Sequence, residues 1–216
     1  MSVPYHGYPE MKPHETFQFA CQNCGDCCRN VRQAVMVESL DLFRMARHLH
    51  MDIAEAAERY TEVGIIAWGA PILLMKTTEP DGACVFLKDN RCVIQPVKPR
   101  ACRLYPLSVG PDDALKKFLI FKVSAKQHHY KGRRYRAQEW ITANFSKEDR
   151  EYVSTEYLAL QDFGKLMRRI PRSRESDVQF LMLRWRYFQF ETDQDFMRQF
   201  VRNMAALKHE LEKLAK

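Results

Sequence analysis

Four cysteines fall within residues 21–30, "CQNCGDCCRN", and three more follow at Cys84, Cys92 and Cys102. Cys21, Cys24 and Cys27 form CxxCxxC, in which each two-residue spacer curls the backbone so that successive thiolates face one object. Cys28 stands beside Cys27. Adjacent side chains seldom reach one tetrahedral ion without strain, so Cys28 reads as a ligand of a second metal, a bridge or a spare thiol. A further ligand for the CxxCxxC group must come from far along the chain, and Cys84, Cys92 and Cys102 are the thiols that remain. The run has the spacing with which bacterial-type ferredoxins hold a cubane cluster, without the Cys-Pro that extends it. Three close thiolates with a distant fourth favour an iron–sulfur cluster of the 4Fe-4S type, whereas zinc sites more often pair two CxxC-like hooks; spacing alone leaves zinc open.

Placement along the chain supports a site over seven unrelated core thiols. Residues 103–216 carry no cysteine, although scatter is expected where cysteine serves as a small core residue. The first twenty residues hold no continuous apolar run, so neither a signal peptide nor a membrane anchor is expected there. The apolar stretch "VGIIAWGAPILLM" is too short and too interrupted to span a bilayer. The expected location is therefore cytoplasmic and reducing, where cysteines in number mean metal or redox chemistry.

The elements that must position these thiols read as α+β: a small irregular cysteine-rich core with short strands and helices, followed by a helical C-terminal region. The expected organisation is a flexible segment over 1–16, a metal-binding domain over 17–140, and helices over 141–216 packed on it. Residues 34–60 read as a short strand leading into two helices capped by Ser39 and Asp52, with Glu55 at capping-box spacing. "ILLMKT", "ACVFL" and "KKFLIFKV" read as strands, and "KDNR" as a turn making Cys84 and Cys92 hairpin neighbours. Ser146 opens a helix striped by Val153, Tyr157, Leu160, Met167 and Ile170 and ended by Pro171. The last helix is expected to open at Thr192, with Phe196, Phe200, Met204, Leu207, Leu211 and Leu214 on one face. Those stripes are core, or a face for a protein partner.

The signature "CQNCGDCC", followed by "CVFLKDNRCVIQPVKPRACRLYP", resembles the YkgJ-like cysteine cluster family of zinc- or iron-chelating domains with a CxxCxxCC core. The resemblance spans roughly residues 17 to 140 and implies metal binding through the seven cysteines. Two departures stand out: Lys98 replaces a more usual arginine, and "SAKQHHYKGRRYR" has His128 and His129 about where family members often carry a further cysteine. Imidazole can replace thiolate as a zinc or iron ligand, so both histidines are candidate ligands, against the plainer reading of surface histidines in a basic loop. Arg103 and Tyr105, beside Cys102, are candidate supports of the cofactor, Arg103 by hydrogen bonds to sulfur.

The formal charge of +7 raises a competing class, a structural zinc protein with a basic region for nucleic acid or protein. Arg168, Arg169, Arg172, Arg174, Arg184 and Arg186, with Trp185, Tyr187 and Phe188 interleaved, suit phosphate neutralisation and base stacking. Glu175, Asp177, Glu191 and Asp193 dilute that patch, and a solvated helix face gives the same pattern. Nucleic acid is not the expected partner, and no membrane is. With eight glycines and no glycine-rich nucleotide loop, no HExxH and no Ser/His/Asp arrangement, any catalysis would be carried by the metal centre itself.

Overall fold

Short strands alternate with short helices through the cysteine-bearing half, and helices dominate the rest. The structure is a computed structural model that describes residues 7–66, 69–112, 114–124 and 126–216. Its helices are α1 (Ser39–Leu49), α2 (Ile53–Tyr60), α3 (Arg100–Leu104), α4 (Ala137–Asn144), α5 (Lys147–Met167), α6 (Glu175–Leu183) and α7 (Phe196–Leu214). A π-helical turn, Arg184–Phe188, continues α6. The strands pair antiparallel in sheets of two or three. The fold is therefore α+β with a helical C-terminal region. No helix among the described residues is long and apolar enough to cross a membrane.

Residues 1–6 of the expected flexible segment lie outside the described residues. Beyond them the chain is tied down: Glu10–Met11 pairs with Phe118–Lys122, and Thr16–Gln18 pairs with Arg134–Arg136. That second pairing brings the residues before Cys21 beside the loop that follows His129. Gly132 makes the close approach possible, because it has a φ of +89° and a Cβ there would sit 2.6 Å from the Ala20 Cβ.

Local signals were legible to within a few residues. Asp52 caps α2 by accepting from the Glu55 N–H, and Ser146 caps α5 by accepting from the Asp149 N–H. Glu38, not Ser39, caps α1: Glu38 is extended, its N–H donates to Asp41, and Ser39 is already helical. The last helix starts later than expected, with Asp195 rather than Thr192 as its cap, because residues 191–194 close a turn through Gln194 N–H to Glu191 O. Its stripe of Phe196, Phe200, Met204, Leu207 and Leu211 is buried. Phe43 of α1 meets Phe196 at 5.2 Å between ring centroids, and Tyr152 of α5 meets Phe200 at 4.9 Å. One hydrophobic core thus runs from Phe17 to Leu211 through both halves of the chain.

Crossing that core is a buried ion network centred on α3. Arg100 grips Glu38 with two bonds of 2.7 and 2.5 Å, and its backbone N–H donates to Asp41 at 2.9 Å. Arg103 donates to both carboxylate oxygens of Asp149 at 2.9 and 2.8 Å, and Arg44 donates to Asp149 and Glu148 at 2.6 and 2.5 Å. Burial, reinforced by the Glu38 charge, pushes Asp41 up to about 7 despite the nearby arginines. Burial would also raise Asp149, but hydrogen bonds and charge from Arg103, with Arg44, outweigh it and hold that carboxyl well below the usual range.

Asp149→Asn should accordingly lower unfolding free energy by about 3 kcal/mol, because it removes the buried carboxylate that pairs with both Arg103 and Arg44. Since the folded state depresses this acid, its contribution is complete above the unfolded value of about 4 and is lost as pH falls through and below it. Denaturant melts at pH 7 and pH 3 should show a smaller gap between wild type and Asp149→Asn at the lower pH. An equal gap at both would contradict the assignment.

Candidate metal centre

The cysteine loop is shaped by its own turn and pinned by polar contacts from three directions. Gly25 adopts φ +74°, which favours glycine, and its carbonyl accepts the Cys28 N–H at 2.8 Å as the chain enters the 3-10 turn Asp26–Cys28. Asn30 N–H and Val31 N–H donate to the carbonyls of Asp81 and Gly82. Arg29 bridges Asp81 and Asn90 with bonds of 2.8 and 2.7 Å, and Lys126 Nζ donates to the Asp26 carbonyl at 2.7 Å. The cluster is therefore sewn to the two hairpins downstream and to the histidine loop.

Those hairpins differ from the expected single one. Cys84 pairs with Thr77 in one ladder, while Cys92 pairs with Leu87 in the next. "KDNR" does turn, with Asp89 and Asn90 at φ 49° and 59°, but it sets Leu87, not Cys84, opposite Cys92. Cys102 arrives on α3, between the two arginines of the ion network.

All seven cysteines, Cys21, Cys24, Cys27, Cys28, Cys84, Cys92 and Cys102, line one cavity of about 750 Å³, together with Tyr105 and His129. Cys27 Sγ lies 3.8 Å from Cys28 Sγ. Hydrogen bonding from Cys28 draws the Cys27 thiol down to about 6, against the opposing effect of burial, and the Lys98 and Lys126 charges assist. The same contact pushes Cys28 up. Burial raises the thiols of Cys84, Cys92 and Cys102, and each also feels the Cys27 charge. Unpaired thiolates at these places would repel one another in a poorly solvated space, and a cation bound among them would remove that cost. Soft sulfur with imidazole suits zinc or iron; it does not suit magnesium or calcium, which take oxygen. The donor set fits the metals that the sequence pattern favours.

At the histidine side, Cys24, Asp26, His128 and His129 place one ligand-type atom each within 4.8 Å of the others. Cys24 Sγ is 3.3 Å from His129 Nε2 and 3.9 Å from His128 Nε2, and His128 Nε2 is 3.1 Å from Asp26 Oδ2. His129 is buried, and that burial, with the His128 charge, holds its imidazole below the ordinary range. Its Nδ1 meets the Tyr105 hydroxyl at 2.5 Å, and that hydroxyl meets Ser124 Oγ at 2.5 Å. Tyr105 thus lines the cavity and touches His129. Arg103 does not: its guanidinium donates to the carbonyls of Lys98 and Asn144 and to the carboxylate of Asp149, which aim it at α5 and not at sulfur. Sequence reasoning missed Asp26, although it stands inside "CGDCC" and shares the 3-10 turn with Cys27 and Cys28. Its place between Cys24 and Cys27 was the available signal, since a carboxylate inside a thiolate loop is itself a ligand type for zinc.

The arginine-rich segment is less available than its sequence suggests. Arg186 is buried and paired with Glu156 at 2.8 Å, and Tyr187 is buried as well, so neither presents itself to a phosphate backbone.

A cavity lined by seven thiols and an imidazole defines a metal-chelating class of protein. Residues 20–137, more than half of the chain, match the CxxCxxCC family, described as "Putative zinc- or iron-chelating domain", and the chain belongs to that family. It is also similar to Uncharacterized protein MJ0661 of Methanocaldococcus jannaschii, with 34% identity over 95 residues. That match covers 42% of this chain and 46% of the relative, so the chain spans less than half the length of that protein. No solved structure matches.

In protein stripped of metal, Cys27 should be alkylated first at pH 7, since its thiol is both exposed and drawn down to about 6. Peptide mapping after brief iodoacetamide treatment should find Cys27 modified well before Cys102. Equal labelling of the two would contradict the described environments.

Proposed function

We propose that this chain holds an iron–sulfur cluster on the thiolates of Cys21, Cys24 and Cys27, with at least one more ligand from Cys84, Cys92 and Cys102. The observation that carries this reading is the convergence of all seven cysteines on one cavity, although they come from a loop, two hairpins and a helix. When bound, such a cluster would supply electron transfer or an open iron site. The chain's own residues would position the thiolates, exclude bulk water with the cavity's apolar wall and orient His129. In the tautomer with the proton on Nδ1, His129 donates to Tyr105 and leaves the Nε2 lone pair facing Cys24. Cytoplasmic residence follows from the same reading, because reduced thiols are required.

A second reading has its own support: Cys24, Asp26, His128 and His129 form a mixed sulfur, oxygen and nitrogen set that suits a single zinc or iron ion. The two readings part on analysis of protein purified without oxygen. The first requires a brown protein with stoichiometric iron and acid-labile sulfide; a colourless protein with stoichiometric zinc rejects it in favour of the second.

Ligand replacement sharpens the choice. Cys21→Ser or Cys24→Ser should remove most bound metal and open residues 17–140 to proteolysis, because binding and local folding are coupled. Cys28→Ser should be milder if Cys28 is a spare thiol. Replacing His128 and His129 together with alanine should cost one metal equivalent per chain if the imidazoles are ligands, and an unchanged metal count would exclude them.

A further inference from the structure

The cavity has room and lining beyond what metal ligation needs. Its volume of about 750 Å³ lies within the range of small-molecule sites, roughly 300–1,000 Å³, whereas the eight atoms of a 4Fe-4S cluster, taken at one water's volume apiece, fill about 240 Å³. Besides the thiols, the wall is largely apolar, built from Phe19, Val35, Met75, Phe86, Ile94 and Val123. No carboxylate lines it; apart from the cysteines and His129, its ionisable lining is Tyr8, Tyr105, Arg91 and Lys98. Lys98 is half-buried, and among the described residues its ammonium has no hydrogen-bond or ion-pair partner. Lys98 offers the carboxylate of an anionic ligand a counter-charge beside that apolar wall.

We propose that this cavity binds a small organic acid, its carboxylate at Lys98 and its apolar body against the apolar lining, next to the metal centre. The inference rests on the metal-chelating reading given under Proposed function and adds the ligand class to it. Lys98 is close enough to act electrostatically on Cys27 and Cys92, so the alternative is that it serves only as the thiolates' counter-ion.

Calorimetric titration of octanoate into the full-length, metal-loaded protein tests this, with octylamine and octan-1-ol as comparators and metal measured on the same sample. Octanoate should bind saturably, and octan-1-ol and octylamine, neither of which can pair with the Lys98 ammonium, at least about tenfold more weakly. Lys98→Met should weaken octanoate by about tenfold or more with metal per chain unchanged. If Lys98→Met loses metal, Lys98→Arg and Ala34→Trp decide, the first keeping the cation and the second filling the wall without altering a charge. Octanoate must then bind to Lys98→Arg and fail to bind to Ala34→Trp. Failure of octanoate to bind the metal-loaded wild type, or equal affinity for octanoate and octan-1-ol, overturns the inference while leaving the metal reading intact. Absence of stoichiometric metal rejects that underlying reading, and octanoate titration of the same sample still decides the cavity's ligand.

Discussion

Arg100 and Arg103 straddle Cys102, and each is clamped to an acid on another helix: Glu38 at the start of α1 and Asp149 in the first turn of α5. A five-residue helix has too few internal hydrogen bonds to hold its own orientation. The ion pairs fix it instead, and with it the direction from which Cys102 enters the cavity. Because Asp149 also closes the capping box of α5, the start of the C-terminal helical region and the last thiol of the cysteine set share one carboxylate. Removing a partner from such a buried cluster costs far more than removing an exposed ion pair, which makes α3 the most constrained of the cysteine-bearing elements.

The cysteine loop depends on different forces. Residues 21–30 are poor in apolar side chains, and Cys21 and Cys27 are exposed, so burial contributes little there. Backbone bonds to Asp81 and Gly82 and the Arg29 bridge to Asp81 and Asn90 hold the loop against the hairpins. Just before it, Phe19 packs edge-on against Trp140 at 5.3 Å, whose indole N–H donates to the Leu104 carbonyl at the end of α3. The loop is thereby tied through one aromatic contact to the same helix that carries Cys102. A metal bound in the cavity would add the direct link between them.

Local chemistry was legible in the sequence and long-range pairing was not. Capping by Asp52 and Ser146 and the stripe on α7 follow from residues three or four positions apart, and the structure has them. The cysteine spacing likewise announced a site. What no spacing rule could supply is that Arg103 reaches Asp149, 46 positions away, in preference to sulfur. For the same reason, the Cys84 and Cys92 ladders separate because Cys84 finds a partner upstream, at Thr77. The sequence marks His128 and His129 only by their position in a family pattern; that Cys24 and Asp26 stand next to them depends on a contact spanning about a hundred residues.

The central claim, that the converging thiols bind metal as an iron–sulfur cluster, is tested most directly by X-ray absorption at the iron and zinc edges of protein purified without oxygen. The account predicts an iron spectrum with a sulfur-dominated shell at about 2.3 Å and an additional iron–iron scatterer. Stoichiometric zinc without iron, or an iron shell made only of nitrogen and oxygen, would contradict it.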